Sequence, residues 1–113
     1  MPIVFVIARD WPLRAMVRAE LRERGIQAVG MTSGIEAGIR VAAGEVPSAV
    51  VIESSAEVDP GLASLAQRVP FVVVASNDPA QTWPKPAARV LHRPVRVAEV
   101  VKAVLELLRI RQA

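Results

Sequence analysis

Three carboxylates, two guanidinium groups and several hydroxyls stand in this 113-residue sequence where short apolar runs stop. Arg9-Asp10-Trp11 follows IVFVIA, and Glu53-Ser54-Ser55 follows AVVI. Ala75-Ser76-Asn77-Asp78 follows Phe71–Val74, and His92-Arg93-Pro94 follows Arg89–Leu91. Asp10 offers oxygens to a hard cation or, just ahead of a helical pattern, to that helix's free amides. Glu53 either pairs with Arg9 or Arg93 or remains a solvated acid. Other chemistries lack parts. His92 has no second imidazole, there is no cysteine, and no metal site is expected. No histidine is placed to suggest a triad with Ser54 or Ser55. Residues 8–14 (ARDWPLR) lack the glycines of a phosphate cradle.

The elements holding these residues follow from hydrophobic period. Residues 3–8, 49–52 and 71–74 are continuous apolar runs, the pattern of strands buried on both faces. Shorter strands are expected at 26–31 and 89–91. Residues 12–24 switch to helical spacing, with Leu13, Met16, Val17 and Leu21 on the predicted buried stripe. Asp10 is placed as the cap, Pro12 in the first turn and Gly25 as the terminator. Ser33-Gly34-Ile35-Glu36 has the capping-box form and predicts a second helix, with Ile35, Ile39 and Ala42 inward and Gly44 at its end. Residues 60–67 leave room for a short helix. Residues 76–88 hold Pro79, Pro84 and Pro86, so a helix there is at most a turn or two. The last helix is marked by Val97, Val100, Val101, Val104, Leu105 and Leu108.

Alternating strands and helices with short connections predict one α/β domain spanning 1–113, with a parallel sheet covered on both faces. In such sheets ligands sit beyond the carboxyl ends of the strands, where the four polar clusters fall. Apolar residues are 52% and charged ones 22%, which excludes a disordered chain. No apolar run is long enough to span a membrane, no signal peptide is apparent at the start, and a cytoplasmic location is expected. The pI near 10.6 reflects twelve arginines against two lysines, because the net charge is only +3. Arg14, Arg18, Arg22 and Arg24 interleave with Glu20 and Glu23, as on a solvated helix face, so nucleic-acid binding has charge alone behind it. The mean hydropathy of +0.35 is high and fits doubly buried strands or an exposed contact patch.

The element order, the strand-end acids and the ending Val90-Leu91-His92-Arg93-Pro94-Val95, followed by Glu99-Val100, resemble a bacterial response-regulator receiver domain over essentially the whole chain. The resemblance implies a flavodoxin-like (CheY-like), doubly wound, five-stranded parallel sheet of order 2-1-3-4-5, here with the fourth helix shortened or lost. In that family an aspartate ending strand three accepts a phosphoryl group and an acidic pair after strand one holds Mg²⁺. A Thr or Ser ends strand four, and a Lys precedes the proline. Carried onto this sequence, the acceptor position falls on Glu53, one methylene longer, which moves the nucleophile by ~1.5 Å. A misplacement of ~1 Å can already cost ~100-fold. The acidic pair falls on Arg9-Asp10, the hydroxyl position on Ala75 with Ser76 beside it, and the lysine on Arg93 ahead of Pro94.

These departures from the family's pattern point to a degenerate, pseudo-receiver form with no catalytic residue and no cofactor, in which Glu53 either pairs with Arg93 or Arg9 or stays a solvated acid. Its partner would be another signalling protein, and a homodimer through the strand-five and last-helix face would suit an apolar surface there. Trp83, Val90, Leu107 and Ile110 are the candidate partner surface, with Trp83 either an interface anchor or folded back over the core. The rival readings are an active receiver of atypical chemistry and a small-ligand binder at the strand-end crevice.

Overall fold

The computed structural model describes residues 2–54, 56, 60–76, 83 and 86–112, without the side chains of 110–112. Among these residues are five strands, β1 (Ile3–Ile7), β2 (Gln27–Met31), β3 (Ala49–Glu53), β4 (Phe71–Ala75) and β5 (Arg89–His92), and four helices. These are α1 (Trp11–Glu23), α2 (Gly34–Ala42), α3 (Pro60–Leu65) and α4 (Val97–Gln112). All strand pairs are parallel, in the order β2-β1-β3-β4-β5. The predicted fold class is the one observed. Most of the stretch expected to hold a shortened or missing helix, residues 77–82, 84 and 85, lies outside the described residues, as do Ser55, Asn77 and Asp78.

Side chains alternate across each strand, and that alternation splits the core into two layers. Val4, Val6, Val51, Val72 and Val74 meet Leu13, Val17 and Leu21 of α1 and Val100, Val104 and Leu108 of α4. Phe5, Ile7, Val50, Ile52, Phe71 and Val73 meet Ala37 of α2 and Leu62 and Leu65 of α3 on the other face. Strands sandwiched this way have no polar side, which is why β1, β3 and β4 read as unbroken apolar runs. The ladder also aligns their ends: Ile7 pairs with Ile52, Glu53 with Val74 and Ala75 with His92. Residues just past these positions are thus delivered to one edge.

Local signals fix the helix ends. Asp10 accepts a hydrogen bond from Leu13 N at 3.2 Å and caps α1. Ile26 N and Gly25 N donate to Leu21 O and Arg22 O, and Gly25 takes the positive φ of 78° this closure needs. Ser33 Oγ accepts from Glu36 N at 3.3 Å, and Glu36 returns the interaction to Thr32 N rather than to Ser33 N.

Five expectations about which side chains turn inward or outward are corrected. Ile35 and Ile39 are exposed, Ile39 at 66%, and so is Ala42. The small residues Gly34 and Ala37 take the inward face of α2, with Val41 partly buried beside them. Met16 is exposed because Leu13, Val17 and Leu21, spaced four apart, already fill the seam of α1. Leu107 is 7% exposed and belongs to the core, so it is not partner surface. It stands seven residues after Val100 and so shares its face. Trp83 is half-buried against the α2/α3 side of the core, the folded-back alternative. Val90 is exposed on the edge strand β5, and the Ile110 side chain lies outside the described residues.

Candidate functional site

At the aligned strand ends one arginine binds two carboxylates from different strands. Arg93 Nη2 lies 2.6 Å from Glu53 Oε2 and 3.1 Å from Asp10 Oδ2. Glu53 ends β3, Asp10 caps α1 after β1, and Arg93 follows β5, so three separate chain segments converge on a single nitrogen. The other Glu53 oxygen, Oε1, accepts from the backbone N–H of Arg9 at 2.9 Å. The sequence left Glu53 a choice between Arg93 and Arg9. Both serve, Arg93 through its guanidinium and Arg9 through its main chain, while the Arg9 side chain stays exposed.

Burial makes this cluster energetically consequential. Glu53 is only 7% exposed, and an unpaired carboxylate so placed would cost several kcal/mol, roughly, in lost hydration. Two charge-assisted hydrogen bonds offset that loss. Arg93 and Asp10 keep about a third of their side-chain surface, 35% and 33%, so water screens the Asp10 arm more than the Glu53 arm. The Glu53 contact is accordingly the stronger of the two.

Neighbouring bonds hold the strand ends around it. Arg93 N donates to Ala75 O at 2.9 Å, Ser54 N to Val74 O at 2.9 Å, and Ser76 N to Ser54 Oγ at 3.2 Å. The Arg93–Pro94 peptide bond is cis. Ala75, at the family's hydroxyl position, is fully buried and brings no hydroxyl, and Ser76 beside it is half-buried. His92 is exposed and makes no metal cluster; among the described residues no three His, Asp or Glu side chains gather as a ligand set.

Two further residues contribute that residue type alone does not mark. Arg14 donates from Nη1 to Ala8 O at 2.7 Å, bracing the chain just before Arg9. Its stem passes over β2 at Gly30, where a Cβ would meet Arg14 Cγ at 3.3 Å. The available signal was spacing: helical side chains lean toward the N-terminus, and Arg14 sits one turn past Asp10. Ser54, read as a loop serine, is a buried acceptor linking β3 to β4.

A divalent cation fits this donor set poorly. Mg²⁺ asks for oxygens in octahedral array, whereas Asp10 and Glu53 both face the cationic nitrogen of Arg93 and the third carboxylate is missing among the described residues.

No model of a known protein family matches the chain, and no curated protein matches it. Solved structures do. The receiver domain of Francisella response regulator 1452 superposes with a TM-score of 0.76 at 19% identity, covering 100% of both chains. A response regulator receiver protein from Burkholderia phymatum gives 0.70 at 23% identity, over 96% of this chain and 95% of that one. The N-terminal domain of a response regulator/sensory box/GGDEF three-domain protein from Carboxydothermus hydrogenoformans gives 0.77 at 13% identity, over 97% and 96%. At these identities the likeness is one of fold: the chain folds as response-regulator receiver domains do.

Proposed function

We propose that this chain is a regulatory module of the receiver fold that acts by binding another signalling protein and carries out no phosphoryl transfer. The observation behind this reading is Arg93 Nη2 set between Glu53 and Asp10, at 2.6 and 3.1 Å. A phosphoacceptor carboxylate needs a cation to offset its repulsion of an incoming phosphoryl anion, and an approach free of competing donors. Here the residue at the acceptor position spends both oxygens on Arg93 and on the Arg9 amide. The ion pair ties β5 to β1 and β3 permanently, in place of a contact made and broken by phosphorylation. Neither a cofactor nor a metal belongs to this reading. Among the described residues no helix is long and apolar enough to cross a membrane, and we place the protein's work in the cytoplasm.

Titration with Mg²⁺ and then beryllofluoride, followed by tryptophan fluorescence, tests the proposal, because the exposed Trp11 stands next to Asp10. A flat trace is expected. A saturable response to the metal followed by a second one to beryllofluoride would show a working acceptor site and end this reading.

A further inference from the structure

Along the seam between α1 and α4, away from the strand ends, an apolar floor runs beneath charged residues of which, among the described residues, Glu106 alone has an ion-pair partner. Two adjoining open cavities, of about 510 and 360 Å³, share Arg24, Leu105 and Arg109. Val101 and Leu105 floor the larger, and Ile26 and Leu108 continue the floor into the smaller. Acids and bases mix on the rim of the larger cavity, whereas among the described residues the charged groups lining the smaller are both arginines.

These charges had internal partners within reach. Glu20 on α1 and Arg24, which caps its C-terminus, are four apart, as are Lys102 and Glu106 on α4, a spacing that normally favours pairing. Among the described residues neither pair forms an ion pair, and Glu106 turns instead to Arg89, 4.0 Å away. Arg24 and Arg109 are likewise without a carboxylate partner among them. Two guanidinium groups flanking an apolar trough complement a carboxylate carried on an apolar body, and the fork of an arginine suits a carboxylate well.

We propose that this groove docks a segment of a partner protein that is apolar and acidic. Its apolar side chains rest on Leu105 and Leu108, and its carboxylates face Arg24 and Arg109. The cavity sizes fall within the range of ligand sites, and their openness along the seam suits an extended chain.

The test uses a fluorescein-labelled peptide in which leucines alternate with glutamates, followed by anisotropy and by amide chemical shifts of the whole protein. The expected result is binding that weakens with salt, with shifts gathered at Arg24, Ile26, Leu105 and Arg109. Arg24→Gln/Arg109→Gln should bind about fivefold more weakly, the effect of losing two solvent-screened charges. Arg18→Gln/Arg22→Gln, an equal change in net charge on the outer face of α1, should bind as wild type does. Equal weakening by both double variants would reduce the effect to net charge and overturn the proposal. Failure to bind would overturn it too, and so would displacement of the peptide by inorganic phosphate at constant ionic strength, which would mark a small-anion site. None of these outcomes bears on the strand-end ion pair, which the fluorescence titration tests separately.

Discussion

Glu53 and Ile39 occupy opposite environments from those their side chains alone would suggest. The carboxylate is 7% exposed and the isoleucine 66%. Position and partners decide both cases. Glu53 ends the central strand β3, beside Arg93 and the Arg9 amide, so its charge is met where it is buried. Ile39 lies on α2, a helix whose Gly34 and Ala37 face the neighbouring layer with Val41 partly buried, while Ile35 and Ile39 turn outward. Hydrophobicity sets a preference; the shape of the contact and the satisfaction of polar atoms determine the outcome.

The comparison can be broken most forcefully at its buried end. Arg93→Ala removes the ion pair that Glu53 makes among the described residues, and a loss of about 2–3 kcal/mol is expected, below the value for a fully buried pair because Arg93 is part-exposed. Urea denaturation measures it; a loss under about 0.5 kcal/mol, the size of a surface change, would mean the pair is of no structural weight. On α2, Ala37→Leu should overpack the inward face and cost about 1–3 kcal/mol, read as a lowered melting temperature. If it is tolerated, the small-residue explanation of α2 fails.

Asp10→Ala removes both the α1 cap and the weaker arm of the Arg93 cluster, for about 1 kcal/mol. Asp10→Asn keeps cap geometry without the charge and should recover most of that, so equal losses from the two variants would make the ionic arm dominant. The smallest effect is expected from Ile39→Ser, within about 0.5 kcal/mol as for an exposed site. A larger loss would mean that Ile39 is covered in solution.

What the sequence could supply follows the same division. Strands β1, β3 and β4 were legible because burial on both faces leaves a continuous apolar run, and the α1 and α2 caps because capping is local chemistry. The inward face of α2 was not, since Ile35 and Ile39 have helical spacing whichever way the helix turns, and only its neighbours select Ala37. Leu107 was misplaced for a related reason: the buried arc of α4 centres nearer Val100 than the predicted stripe did. At the candidate site the strand ends were legible from the order of elements. That Arg93 rather than the Arg9 side chain would reach Glu53, and that Arg9 would contribute its amide, depended on register between β1, β3 and β5, which residue types do not encode.

Intact-mass spectrometry after incubation with acetyl phosphate and Mg²⁺ tests the central claim most directly, that Arg93 holds the strand-end carboxylates and phosphoryl transfer does not occur there. The unmodified mass is predicted, for the wild type and for Glu53→Gln alike. A phosphate adduct on the wild type that disappears in Glu53→Gln or in Asp10→Asn would contradict it and make this an active receiver.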